Sequence, residues 1–452
     1  MALLLLLSGT RAFTDDSVSA IGVLRSSEEA WDRLPSAQSG QGQLLPSWAR
    51  ILAGELPRTT AALLELDFAH RTKSPVAPGL RAAMRWVAAN ANHCPYALAY
   101  AEFDARRAGL DPRRLQALAQ PGYPGWTSAE RAALEFARTM TVDSDSVTDA
   151  EFDAIVEHFG VRQAAAMVLL LAYANFQDRL LLCLEAPIEV DGPLTPLDVH
   201  FGRDAFEFPT GPSRATSPAS LQPSSNGDAV RDEADWTSMT YEVLQSRLAA
   251  QRRRLTRLRI PSWDEVALHL PDGLFQRPSE IVWYRIVFGY APELAVPFEV
   301  FLRTAGAEIA PHWDRVFGSS LFWVTTRAVK CPYCMGHCEM NWEVAGLNRE
   351  EIAERSRILA GDDWSAFPPA DQRAFDFARK LTRTPWQISP SDIGVLQRDF
   401  GPERALAIAL NASRYHYMTR ISNGFQLTLE TENVFYDYYN VDRPAAAAPP
   451  RP

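Results

Sequence analysis

Lysine is almost missing from this chain. Of 45 basic residues among 452, three are lysines (Lys73, Lys330 and Lys380), and the net charge is −10. A protein of that sign is a poor match for nucleic acid bound through a general basic face. Cysteine is scarce as well, and five residues in 452 do not make a disulfide scaffold. No stretch approaches the ~20 apolar residues of a membrane span. None keeps the period-two alternation of a half-buried strand. The glycine-rich phosphate loops G-x-x-x-x-G-K-[ST] and G-x-G-x-x-G are absent, and so are H-E-x-x-H and G-x-S-x-G, which removes the usual nucleotide, zinc-protease and serine-hydrolase signals. The expectation is therefore a cytoplasmic protein with neither a nucleic-acid nor a membrane partner. The apolar run Ala2–Leu7 leaves export as the other reading, although no basic residue precedes it and it is shorter than the ~7–15 residues of a secretory core.

Apolar residues make up 47% and charged residues 22%, which is ample for packed cores, and the length predicts two or three domains at about 100–200 residues each. The segment Asp204–Trp236, rich in Pro, Ser and Gly, reads as a linker, and RPAAAAPPRP at the C-terminus reads as a tail. Between them the chain repeats itself. Asn92–Glu102 (NHCPYALAYAE) matches Val329–Glu339 (VKCPYCMGHCE) at an offset of 237. ERAALEFAR (Glu130–Arg138) matches DQRAFDFAR (Asp371–Arg379), and Phe159–Leu180 matches Phe400–Ile421, both at 241. Three blocks in one order at nearly one offset predict a tandem duplication. Each block reads as helix, with starts at Val147–Asp149 and Ser389–Ser391, so the predicted fold is all-α. Ser238–Leu258 is expected to be a separate amphipathic helix with Leu244, Leu248, Leu255 and Leu258 as its stripe. The resulting division is a tail over 1–40, a first helical unit over 41–203, a linker over 204–236, a connecting segment over 237–285, a second unit over 286–435 and a tail over 436–452.

The densest chemistry lies in Cys331-Pro-Tyr-Cys334-Met-Gly-His337-Cys338-Glu339. Two cysteines three apart at a helix start share one face. The unpaired N–H groups and the positive dipole end there favour thiolate, the reactive form. His337 follows on the same face and can carry a proton near neutral pH. Cys338 adds a third thiol, and Glu339 is a candidate acid.

This arrangement resembles the carboxymuconolactone decarboxylase and alkylhydroperoxidase D-like family, an all-helical fold with C-x-x-C at a helix start and a histidine beyond it. The resemblance spans roughly Leu45–Pro187 and Ala291–Asn433. It implies two tandem domains of that fold and a hydroperoxide substrate. It also implies a peroxide-attacking Cys334 with Cys331 as its resolving partner, and a thioredoxin-like or small dithiol reductant in place of a bound cofactor. The chain departs from the family pattern where the relay histidine falls one residue early, where the upstream relay acid would lie near Ser319 or Ser320, and at Tyr333 between the cysteines. In the first copy Cys94 is kept, but Ala97 and Tyr100 replace the second cysteine and the histidine, so that site reads as degenerate. His93 beside Cys94 reads as packing or chance, His416 with Arg420 on the last helix as core or interface polar groups, and Cys183 as an inert core thiol. The arginines from Arg252 to Arg259 read as a solvated face.

Three readings of Cys331, Cys334, His337 and Cys338 stand open: a reactive dithiol, a zinc site, and a structural remnant of an active site. Zinc is disfavoured because all four residues lie on one helix, with no second ligand pair elsewhere. The spacing excludes covalent haem attachment. The functional expectations are a thiol-dependent hydroperoxide reductase, a lyase of the lactone decarboxylase type, or a non-catalytic redox-sensing scaffold. Further self-association is left open.

Overall fold

The computed structural model describes residues 26–202, 240–275, 277–361 and 363–443. The expected linker, the run Ala2–Leu7 and the last nine residues lie outside them. Among the described residues there are nineteen α-helices and one isolated β-bridge, between Ala37 and Phe201. The all-α class is what the missing period-two pattern predicts.

The first half runs α1 (Ser27–Arg33), α2 (Ser47–Ala53), α3 (Pro57–Thr72), α4 (Pro78–Ala91), α5 (Pro95–Arg107), α6 (Pro112–Ala117), α7 (Ser128–Val142) and α8 (Asp149–Leu184). Two short helices follow, α9 (Tyr241–Gln251) and α10 (Trp263–Ala267). The second half runs α11 (Val282–Tyr290), α12 (Pro292–Ile309), α13 (Arg315–Val329), α14 (Pro332–Val344), α15 (Arg349–Ala360), α16 (Pro369–Arg383), α17 (Pro390–Phe400), α18 (Pro402–Phe425) and α19 (Phe435–Tyr439).

Local chemistry fixes the starts. Proline occupies the first turn of α3, α4, α5, α12, α14, α16, α17 and α18, where its missing N–H costs nothing. Capping boxes close α7 (Thr127 with Glu130), α8 (Thr148 with Glu151) and α17 (Ser389 with Asp392). The last two fall where the sequence placed helix starts.

The blocks matched in sequence recur in the same element order. Gly160 breaks the helical backbone inside α8 at φ 77°, ψ 160°, and Gly401 separates α17 from α18 at φ 80°, ψ 162°. His93 and Lys330, which precede the two C-P-Y motifs, are both left-handed, at φ 51° and 60°. The matched helices also pack on one another: α8 lies along α18, and α3 lies along α12. The links between them are reciprocal. Arg179 donates to the Thr382 carbonyl at 3.2 Å, and its counterpart Arg420 donates to the Thr141 carbonyl at 3.1 Å. Residue i bonding j while the match of i bonds the match of j is the signature of an isologous contact. The helix α8 is long and apolar enough to cross a membrane by composition, but its apolar portion is core: Leu169, Leu171 and Phe176 are fully buried. Each such side chain contributes about 1.5–3 kcal/mol.

Several sequence boundaries shift. The expected N-terminal tail contains α1, whose Ala30 and Trp31 are buried, with Trp31 Nε1 donating to the Gln43 carbonyl at 2.7 Å. The boundary at 285 falls inside α11, and the expected tail from 436 holds most of α19, where Tyr436 is buried. The connecting helix ends at Gln251, so only Leu244 and Leu248 of the expected stripe lie buried on it. Leu258 is buried beyond it and Leu255 is exposed. Arg257 is not solvated: its side chain is 4% exposed, and it donates to Asp149 at 2.9 Å and to the Asn423 and Gly424 carbonyls at 3.0 Å, tying α8 to α18.

Candidate functional site

Helix α13 stops at left-handed Lys330, and the Cys331 N–H closes back on the Thr326 carbonyl at 2.9 Å. This turn makes Cys331 the cap of α14. Its Sγ accepts the Cys334 backbone N–H at 3.4 Å. Both cysteines are unpaired thiols, 0% and 2% exposed. The Cys334 thiol donates to Ser422 Oγ of α18 at 3.2 Å, and Ser422 donates onward to the Met418 carbonyl at 2.8 Å.

The surroundings overturn the expectation that the helix start readily ionises Cys334. Burial pushes its thiol well above the ordinary value, and the hydrogen bond to Cys331 and the charge there push the same way. The Ser422 bond opposes them without prevailing. Cys338, also buried, is pushed up for the same first reason. The expected auxiliary Glu339 does not join the site: its Oε1 accepts from Gln245 of α9 at 2.9 Å and from Ser356 at 3.1 Å.

The sequence missed the acid that does join it. Glu430 lies just past α18, and its Oε2 is 2.7 Å from His337 Nε2. Its Oε1 accepts the Tyr333 hydroxyl at 2.8 Å and the Val282 N–H at the start of α11 at 2.7 Å. Burial pushes this carboxyl up, but the neighbouring His337 and the N–H donors outweigh it and hold Glu430 below the usual carboxylate range. An ionised Oε2 only accepts, so Nε2 carries the proton and Nδ1 is the nitrogen free to exchange one. Ser320, one of the two serines near which the resemblance would place an upstream acid, instead accepts from Arg355 at 3.1 Å.

The first half repeats this frame. Glu189, 241 residues before Glu430, accepts Tyr96 at 2.7 Å, Tyr100 at 2.8 Å and the Ser47 N–H at the start of α2 at 2.8 Å. Tyr100 thus takes the place of His337 on the matching acid, which here is half-buried. Cys94 is buried and pushed up by burial, then by Asp178. His93 packs edge-on against Trp386 of the other half at 4.6 Å.

His416 and Arg420 are interface groups that also reach the dithiol's field. Their side chains meet at 2.8 Å, His416 Nε2 lies 3.2 Å from Thr382 Oγ1, and the Arg420 charge interacts with both Cys331 and Cys334. Cys183 is buried and pushed up to about 12, first by burial. Among the described residues no group of three or more His, Cys, Asp or Glu side chains is placed to hold a metal ion.

A cavity of about 720 Å³ opens beside this centre and reaches His337 and Asn341; neither sulfur lines it. Its walls are aromatic, including Trp283, Phe322 and Tyr439, with Arg315 and Arg414 among its charged groups. Compared with known proteins, the chain matches no protein-family model and no curated protein significantly.

Proposed function

We propose that this chain is a thiol-dependent hydroperoxide reductase with one reaction centre, formed by Cys331, Cys334, His337 and Glu430. The observation that carries the reading is the His337–Glu430 contact one turn beyond two free thiols, because it supplies the relay acid that the sequence lacks upstream. In this mechanism Cys334 Sγ attacks the terminal oxygen of the hydroperoxide. The S–O bond forms as the O–O bond breaks. The thiol proton passes through His337 to the departing alkoxide, leaving an alcohol and a sulfenic acid. Cys331 Sγ then attacks the sulfenic sulfur, a disulfide forms, and the hydroxyl leaves as water with the Cys331 proton. A thioredoxin-like protein or small dithiol restores both thiols by exchange and is itself oxidised to a disulfide. A pair that works from its reduced form suits the cytoplasm.

The test is consumption of tert-butyl hydroperoxide with dithiothreitol as donor. Cys334→Ser is expected to lower turnover at least about 100-fold; equal rates for variant and wild type overturn the mechanism. Because burial holds Cys334 as the thiol, its alkylation by iodoacetamide is expected to be slow at neutral pH and to accelerate as pH rises past the ordinary thiol value of about 8.5. A rate already at its plateau at neutral pH would restore the helix-start thiolate.

A second reading is favoured by one observation: His337 lines the cavity and the sulfurs do not. A lyase of the lactone decarboxylase type would use His337 and Glu430 for proton transfer alone. Turnover that survives complete thiol alkylation selects it.

A further inference from the structure

The half without a dithiol keeps a chamber of its own. A cavity of about 390 Å³ sits in the first half at the place matching the large cavity of the second, with Tyr100 where the other has His337 and Arg85 where the other has Phe322. The two walls exchange polar groups in both directions: Arg315 and Arg414 line the second cavity where Pro78 and Tyr173 line the first. Asp67, Arg71 and Gln177 stand in the first half where Leu302, Gly306 and Met418 stand in the second. A position abandoned to packing tends to become apolar, since burying polar groups costs free energy unless they are bonded. At these three positions this chamber keeps polar groups that its counterpart lacks.

Most of those polar groups are satisfied. Asp67 accepts from Tyr173 at 2.8 Å and from Gln177 at 3.0 Å, and Asp104 accepts from Arg71 at 2.8 and 2.9 Å. Arg85 donates one Nη to Asp178 and to Gln177. Two side chains are not satisfied. Arg85 Nη1 and both ring nitrogens of His70 are buried without a hydrogen-bond partner. His70 is 1% exposed, lines the cavity, and lies flat on Tyr173 with ring centroids 4.3 Å apart. Burial, and then Arg81 and Arg85, push its pKa down to about 3, so the ring is neutral and presents one donor and one acceptor. A buried group with no partner is expensive to keep, and native proteins keep few of them. Around these groups the wall carries Arg71, Arg81, Arg85 and Arg107 with Asp67 and Asp104, and Asp178 pairs with Arg85, while Tyr96, Tyr100 and Leu170 provide flat and apolar surface.

We infer that the first-half chamber is a binding site for a small organic carboxylate, whose anionic oxygen takes Arg85 Nη1 and whose neighbouring polar atom takes His70, with its apolar body against the tyrosines. A guanidinium N–H directed at a carboxylate oxygen gives a charge-assisted bond. The inferred site is independent of the thiol chemistry proposed for the other half.

Benzoate is the probe, titrated calorimetrically into the full chain, with benzamide as the neutral isostere and inorganic phosphate as the anion without an apolar body. One saturable benzoate site per chain is expected. His70→Phe keeps the flat ring on Tyr173 and removes only the unpartnered nitrogens. It is expected to weaken benzoate at least about tenfold without lowering the thermal midpoint. Arg85→Lys keeps the charge beside Asp178, removes the fork, and is expected to weaken binding similarly. The proposal is overturned if no saturable binding is seen up to about 10 mM, or if benzamide or phosphate binds as tightly as benzoate. It is also overturned if His337→Phe weakens benzoate while His70→Phe does not, since the site would then be the other chamber.

Discussion

Both halves tie a glutamate, half-buried in the first and buried in the second, to the tyrosine of a C-P-Y turn and to a backbone N–H at the start of an earlier helix, Glu189 through Tyr96 and Ser47, Glu430 through Tyr333 and Val282. They differ in the third partner, Tyr100 against His337. The shared part teaches what the glutamate is for in the fold: it pins the segment after the last long helix to the front of the half. In the proposed mechanism the part that differs is where chemistry enters, because a tyrosine hydroxyl only anchors the carboxylate, whereas an imidazole on the same carboxylate can pass a proton. The sharpest way to break the comparison is to neutralise both acids. Glu189→Gln and Glu430→Gln are each expected to cost about 1–3 kcal/mol in denaturant unfolding, since each weakens charge-assisted bonds to buried donors. Only Glu430→Gln is expected to lower dithiol-dependent hydroperoxide turnover, by about 100-fold. Turnover unchanged in Glu430→Gln would reduce Glu430 to the pinning role of Glu189.

The second contrast lies between His70 and Ala305, which stand at matching places in α3 and α12. His70 is held neutral, with its pKa down at about 3 through burial and then through Arg81 and Arg85, while the unfolded chain protonates it near 6.5. The unfolded state therefore binds more protons between those values, and folding stability is lost as pH falls from about 6.5 toward 3. Down to about pH 5 the loss from His70 alone approaches about 1.4 kcal/mol per pH unit. Buried His416, also pushed well down, adds a loss of the same sign. His70→Phe is expected to flatten the stability profile between pH 6.5 and 5 by the His70 share and leave the His416 share in place. Urea unfolding across that range measures it, and parallel wild-type and variant slopes would mean that His70 is not held neutral.

Much of this contrast was readable from sequence, and the reason it was not fully readable is distance. The C-P-Y motifs, the helix starts at Thr148 and Ser389, and the degenerate Ala97 and Tyr100 are local patterns, and the structure has helices where those patterns predict them. Glu430 has no local pattern: its partners lie 93, 97 and 148 residues away. A signal was nevertheless present. The offset of 241 that aligns the long helices, carried five residues beyond Phe425, sets Glu430 against Glu189. Nothing comparable marks His70, since a single histidine on a helix reads as core until a cavity is seen beside it. Glu339 misled for the opposite reason. It follows Cys338 directly, but consecutive helical residues point apart, and its carboxylate turns to α9.

Where the halves agree in backbone, matched substitutions are expected to have equal effects. Gly160 and Gly401 share a positive φ with ψ near 160°, a region that is almost exclusively glycine's, and an added Cβ meets no atom within 4 Å at Gly160 and only a flexible Glu403 oxygen at 3.9 Å at Gly401. The cost of alanine is therefore conformational rather than steric. Gly160→Ala and Gly401→Ala are each expected to lose about 1–3 kcal/mol, read as parallel drops in urea midpoint. A large drop in one and none in the other would show that the two breaks carry different loads despite their common geometry.

The smallest effect is expected where the halves meet at the surface. Arg162 of α8 reaches Glu293 of α12 at 3.0 Å, with the arginine side chain 67% exposed. Water competes for both groups and salt screens them, so Arg162→Ala is expected to cost about 0–1 kcal/mol, less as ionic strength rises. Arg420 crosses the same divide while buried, donating to a carbonyl that has no water to fall back on. Replacing it with methionine leaves the Thr141 carbonyl without that donor and is expected to cost about 1–3 kcal/mol with no dependence on salt. Measuring both variants at low and high salt separates the contributions. A salt-sensitive loss at Arg420, or a large salt-independent loss at Arg162, would mean that the two halves are held together by surface charge rather than by the reciprocal buried arginines.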